Sequence, residues 1–141
     1  MKNNANSIAF FVLFAIFGQF QSKSESITKT FETFWPAICK IESDFNAFAV
    51  GDNKKAIGIS QIHLGCLIDS NNYAKTKYSH EDCFDPNKSK IICFNYMRRY
   101  AKFHNWELNK MARLWNGGPG GVKSKKTDGY VKKFAIALKN P

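Results

Sequence analysis

Apolar positions recur at helical spacing in several stretches of the chain. Phe34, Ile38 and Ile41 fall on one face of a helix that starts near Thr33 and tolerates Pro36 in its first turn. Cys39 and Glu42 share an adjoining stripe. Gly51-Asp52-Asn53-Lys54-Lys55 then reads as a turn between Phe48-Ala49-Val50 and a strand from Ala56 to Ile59, predicting a small hairpin. Leu64 to Lys77 is compatible with a helix or with irregular coil. Asp85-Pro86 opens a helix over about residues 87–103, with Ile92, Tyr96, Arg99 and Phe103 on one side. A shorter helix runs from Glu107 to Trp115 and is stopped by Asn116-Gly117-Gly118-Pro119. Thr127-Asp128 caps a last helix whose apolar stripe is Tyr130, Val131, Phe134, Ala135 and Leu138. Four or five helices and one hairpin, largely segregated, predict an α+β domain that is mostly α.

The first residues stand apart from this pattern. Lys2 precedes a wholly apolar run from Ile8 to Phe17, followed by Gly18 and a polar stretch, the layout of an export leader over residues 1–22. The run is shorter than the ~20 residues needed to span a bilayer, so no stable membrane anchor is expected. Ser22 to Thr30 reads as a fraying linker, and residues 31–139 as one globular domain, which a 141-residue chain can fill. A secreted protein is the expectation, extracellular or, from a bacterial source, periplasmic. Export favours disulfides among Cys39, Cys66, Cys83 and Cys93, with three pairings open. No His lies at a zinc-type spacing from a Cys, so neither a metal nor a cofactor is expected. Asn87-Lys88-Ser89 is a formal glycosylation acceptor.

The formal net charge is +10, and removal of a leader carrying only Lys2 leaves +9. Such a protein seeks anionic partners. Nucleic acid is not expected, because the chain is read as exported and its Lys and Arg residues are scattered rather than gathered on one helix. A bacterial surface fits better, and a monomer is expected.

Candidate chemistry centres on Glu42, at a helix end facing the returning strand. Glycosidic cleavage requires a carboxylic acid still protonated at working pH, and Ile38, Ile41, Phe45 and Ile59 are placed to desolvate this one. Four segments surround that reading: Ile41-Glu42-Ser43, Gly58-Ile59-Ser60-Gln61, Asn116-Gly117-Gly118-Pro119-Gly120 and Gly129-Tyr130. In this order they resemble the lysozyme-like superfamily, specifically the Glu-Ser, Gly-x-x-Gln, Asn-x-Gly-Pro-Gly and late-Tyr motifs of soluble lytic transglycosylases. Asn95-Tyr96-Met97-Arg98-Arg99-Tyr100, with the last two motifs, is also similar to the C-terminal half of invertebrate-type lysozymes. The resemblance spans about residues 31–138. It implies a lysozyme-like fold, several helices around a cleft with one small hairpin, and a muramidase cutting the β-1,4 bond of bacterial peptidoglycan.

In that frame Glu42 is the general acid, and Ser43, Ser60, Gln61, Asn116, Gly117 and Tyr130 contact substrate or line the cleft. Read without the motifs, Gln61 is a strand-end amide, Asn116 a helix-terminal residue and Tyr130 core. Asp52 lies about where invertebrate-type lysozymes carry a second carboxylate, and equally suits an ordinary turn. Many transglycosylases carry a serine nine residues after the glutamate; that position is Gly51 here. Hydrolysis and an anhydro-forming transglycosylation from Glu42 alone both remain open, as does a non-catalytic cationic wall-binding protein, while chitin is a related substrate. The glycines after Asn116 lack the Lys-Ser/Thr of a phosphate cradle and read as a turn. Asp44 reads as a cap or solvated carboxylate, and His63, His80 and His104 as surface or packing residues.

Overall fold

The computed structural model describes residues 4–140, with side chains from residue 19; the side chains of the apolar run Ile8–Phe17, on which the leader expectation rests, lie outside the described residues. Helices α1 (Asn4–Ser43), α2 (Leu64–Ala74), α3 (Pro86–Tyr100), α4 (Leu108–Gly121) and α5 (Asp128–Ala137) enclose three short strands, β1 (Val50–Gly51), β2 (Ala56–Ile57) and β3 (Ile62–His63). This is the expected α+β, mainly helical architecture. The hairpin gains a third strand, giving an antiparallel sheet in the order β1-β2-β3.

α1 differs from expectation in length. It continues through Ser22 to Thr30, where a fraying linker was expected, and Pro36 lies inside it rather than in its first turn. The polar residues satisfy themselves along the helix: Thr28, Thr30 and Thr33 hydroxyls donate to the carbonyls of Ser24, Ser26 and Lys29, four residues back. Pro36 cannot donate to the carbonyl four residues earlier, at Glu32, a residue exposed to solvent where water can replace the lost donor. The segment from Leu64, open between helix and coil, is helical as α2. α3 is capped by Asp85, whose carboxylate accepts from the amides of Asn87 and Lys88, with Pro86 in the first turn. It ends at Tyr100 in a short 3₁₀ turn, slightly before the expected boundary. α4 breaks at Gly118 (φ 66°, ψ −168°), inside the predicted stop, and one further turn carries it to Gly121.

Two apolar clusters form the core. The larger joins Phe31, Phe34, Ile38, Met97, Met111, Leu114 and Phe134 from α1, α3, α4 and α5. The smaller joins Ile57, Ile62, Leu67, Cys83 and Ile92 beneath the sheet. Cys66 and Trp115 pack against both, so the seam between the clusters runs past these two side chains.

The sheet is held against the smaller cluster by a tight approach at Gly58. Its φ is +79°, and a Cβ there would lie 1.9 Å from the Cys83 carbonyl oxygen. No L side chain fits that position. A second tight contact joins Gly51 to Gln61, whose Oε1 would sit 2.3 Å from a Cβ on Gly51. Gln61 itself has φ +52°, and its Nε2 donates to the carbonyls of Ala49 (3.1 Å) and Gly58 (3.0 Å). Gly51 thus leaves room for the amide that ties the loop before β1 to the turn after β2.

The disulfides expected from export are not formed. All four cysteines are free thiols, Cys39, Cys83 and Cys93 fully buried and Cys66 partly so. Each packs as a small apolar side chain. Burial pushes the Cys39 and Cys83 thiols up to about 12 and raises Cys66 and Cys93 as well, which starves all four of the thiolate needed for oxidation.

Two outcomes are expected from this packing. Gly58→Ala should destabilise the domain by about 1–3 kcal/mol from backbone strain alone, with the overlap adding to that, whereas Gly65→Ala, in α2 with nothing within 4 Å of the new Cβ, should be neutral or stabilising by up to about 1 kcal/mol; urea unfolding of the two variants checks the opposite signs. Reductant should leave the melting temperature unchanged, and thiol titration should find four groups that react rapidly only after denaturation.

Candidate active site

Glu42 occupies the last turn of α1, and the chain reverses immediately after it. Asp44 and Phe45 adopt positive φ (52° and 64°), and their amides return to the carbonyls of Lys40 and Cys39. Ser43 Oγ donates to the Ile59 carbonyl at 2.8 Å, fixing the helix end to the turn between β2 and β3. From the far end of the sequence, α5 brings up Tyr130, whose hydroxyl donates to Glu42 Oε1 at 2.5 Å. The start of α5 is itself anchored. Arg113 donates to the Ser124 carbonyl and to Thr127 Oγ1 and pairs with Asp128 at 2.6 Å, while the buried Thr127 hydroxyl reaches the carbonyls of Gly121 and Ser124.

Burial holds the Glu42 carboxyl above the usual carboxylate range; the Tyr130 hydroxyl, the Trp115 indole and the Lys133 charge oppose that rise without cancelling it. The same burial, together with the negative charge of Glu42, raises the Tyr130 phenol, which therefore remains a donor. A carboxyl whose proton affinity is raised by burial, partly exposed at a cleft, is suited to donate a proton to a bound ligand.

Glu42, Asp52, Gln61 and Asn116 line one open cavity of about 220 Å³, together with Ala56, His63 and Trp115. An adjoining cavity of about 270 Å³ shares Gln61, His63, Trp115 and Asn116 and extends past Ile62, Cys66, Tyr96 and Gly118. The two form one groove over the seam between the core clusters. Trp115 is its floor, and Tyr96 meets that indole edge-on at 5.9 Å.

Of the residues singled out from the sequence, Glu42, Asp52, Gln61, Asn116 and Tyr130 therefore converge, Tyr130 through its bond to Glu42. Gln61 is also a structural clamp, since both its amide hydrogens are directed at backbone carbonyls and only Oε1 is left to accept. Ser43 anchors backbone rather than lining the groove. Ser60 is fully buried, its hydroxyl 2.8 Å from that of Ser89 on α3, and does not reach the cleft. Gly117 packs towards Thr127, where a Cβ would lie 2.8 Å from Cγ2, so its part is to let α4 approach the α5 junction. Asp44 pairs with Lys40, and His80 Nε2 lies 2.9 Å from the Ile62 carbonyl, both roles of surface and packing. Among the described residues no three His, Cys, Asp or Glu side chains converge as a metal site.

Two groove residues escape the sequence reading. Trp115 falls on the apolar stripe of α4 and reads as core, although it directly precedes the Asn116 motif. His63, read as a surface residue, is brought to the cleft by β3, and its Nε2 lies 3.6 Å from Asp52 Oδ2. Their signal is adjacency to a motif, one residue after Gln61-Ile62 and one before Asn116.

Comparison with known proteins agrees with this geometry. The profile of the family described as "Transglycosylase SLT domain" matches residues 21–137. No curated protein matches the chain. Among solved structures, the lysozyme of Tapes japonica is 27% identical, with a TM-score of 0.62 over 72% of this chain and 85% of the other. The Meretrix lusoria lysozyme complex with Aeromonas hydrophila PliI gives 29% identity and a TM-score of 0.61 over 71% of this chain and 84% of that chain. A half-buried glutamate of raised proton affinity at the end of α1, a groove across the core seam and a family match over most of the sequence agree: the chain is a glycosidase-type enzyme with a lysozyme-like fold, belonging to the Transglycosylase SLT domain family.

Proposed function

We propose that this chain is a secreted muramidase that cleaves the β-1,4 bond between N-acetylmuramic acid and N-acetylglucosamine in bacterial peptidoglycan. The observation that carries the reading is the half-buried Glu42, its proton affinity raised by desolvation, in a groove that also holds Asp52. Glu42 donates its proton to the glycosidic oxygen as the bond breaks. The carboxylate it becomes receives the Tyr130 hydroxyl, which stabilises the charge just created. Asp52, exposed and therefore solvated, faces the same cavity and stabilises the oxocarbenium-like centre or orients the attacking water. The lysozyme identity of the structural neighbours supports hydrolysis. A charge of +10 favours approach to an anionic wall, and the apolar run after Lys2 supports export.

A second reading, lytic transglycosylation from Glu42 alone, is favoured by the family match. In that reaction Glu42 first protonates the bond and then removes a proton from the sugar's own hydroxyl, which closes an anhydro ring. Against it stands Gly51, where many transglycosylases carry a serine.

Glu42→Gln should keep the fold and lower the rate of fragment release from purified peptidoglycan by about 10²–10⁴-fold. Mass spectrometry of the wild-type fragments should show reducing ends; anhydro-muramic ends would establish the transglycosylase instead, and wild-type release by Glu42→Gln would remove both. The same variant should be more stable at neutral pH. A carboxyl whose pKa is raised on folding contributes stability below its unfolded value and loses it as pH rises through the folded value, so a neutral amide removes that loss.

Tyr130→Phe removes a donor that favours ionised Glu42. The Glu42 pKa should then rise further, moving the alkaline limb of the kcat/KM profile to higher pH. An unmoved limb would mean that Glu42 does not set it.

A further inference from the structure

The sheet register sets Gly51, Ala56 and His63 in one row across the three strands, Gly51 opposite Ala56 and Ala56 opposite His63. Adjacent strands lie about 4.8 Å apart, so residues on the two outer strands of such a row are separated by roughly 10 Å and do not meet through short side chains. Asp52, the first residue after β1, has a left-handed conformation (φ 47°), and its carboxylate lines the cavity shared with Ala56 and His63. Its Oδ2 comes within 3.6 Å of His63 Nε2. The residue beneath them is Ala56, 3% exposed, whose methyl lines the same cavity and leaves open the space across which the two groups approach. Among the described residues, His63 is the one basic side chain within 4 Å of the Asp52 carboxylate. The remaining titratable group lining this cavity is Glu42, from α1.

We infer that His63 is the positioning residue for Asp52, holding its carboxylate across Ala56 so that it faces the glycosidic bond from a fixed place in the groove. The inference rests on Asp52 serving as the second carboxylate of the muramidase. Without a partner, a carboxylate on an exposed turn samples several rotamers, and few of them face the reacting carbon. At 3.6 Å the pair lies just beyond hydrogen-bond length; such contacts in an unliganded cleft commonly shorten when substrate excludes water.

A double-mutant cycle on a soluble peptidoglycan oligomer tests this. His63→Ala should lower kcat about tenfold with KM unchanged, and His63→Gln, whose carboxamide N–H₂ reaches the same region, should restore most of the rate. His63→Ala made in an Asp52→Asn background should cost nothing further. In parallel, the ring ¹⁵N resonances of His63 in the free enzyme should shift on Asp52→Asn, a readout that needs no residual activity. Unmoved ring resonances, a wild-type kcat in His63→Ala, or a further multiplicative loss in the double variant would overturn the pairing. A wild-type kcat in Asp52→Asn would overturn the role of Asp52 and the pairing together, while leaving the assignment of Glu42 to be judged on Glu42→Gln alone.

Discussion

The contact between Tyr130 and Glu42 joins residues 88 positions apart, and the site depends on it. It joins α5 to the end of α1 and opposes the rise that burial imposes on the Glu42 carboxyl. Burial alone would favour a permanently neutral acid, poor at leaving its proton behind; the phenol supplies a donor to the anion that forms. Raised proton affinity and stabilisation of the conjugate base act in opposite directions, and a general acid needs both. The long apparatus at the α4–α5 junction, Arg113 with Thr127 and Asp128, serves to place one hydroxyl against one carboxylate.

The groove follows from the way the core is divided. Two apolar clusters, one made by α1, α3, α4 and α5 and one beneath the sheet, meet at Cys66 and Trp115. A seam between separately packed units is where a concave surface can form without leaving a void in either. Trp115 belongs to both and faces the groove, so a residue that stabilises the junction is also its floor. The four thiols belong to the same economy of space. Cys93 and Cys83 lie one in each cluster and Cys66 at their seam, and all four, with the buried Cys39, are free.

The main features of this arrangement are legible in the sequence because they rest on periodicity or on residues with a single use. The stripe Phe34, Ile38, Ile41 gave the core face of α1 and placed Glu42 beside it; Asp85-Pro86 opened α3; the glycines after Asn116 located the break at Gly118. The misses share a physical cause, contacts made across the chain. Ser22 to Thr30 looks like a linker because its hydroxyls promise polarity, yet those of Ser22, Thr28 and Thr30 are spent on carbonyls three or four residues back within the helix. Ser60 sits inside a recognisable motif, but burial under α3 commits its hydroxyl to Ser89. His63 is marked only by its place next to the Gln61 motif, since its partner is set by the pairing of three strands.

The contact between Gly51 and Gln61 bears on which reaction the groove favours. A serine at residue 51 would require a Cβ 2.3 Å from Gln61 Oε1, so it could be accommodated only by moving that amide. The amide cannot move freely, because its two hydrogens bind the Ala49 and Gly58 carbonyls that close the sheet. Gly51 and Gln61 are therefore one device: the space a serine hydroxyl would fill is occupied by a carbonyl oxygen, which accepts hydrogen bonds and cannot donate one. Under the proposed reading, an acceptor at this place suits the N–H of a substrate acetamide rather than its C=O. On the same muramidase proposal, Asp52, the first residue after β1 and 3.6 Å from His63, is the carboxylate of this groove that acts on water instead.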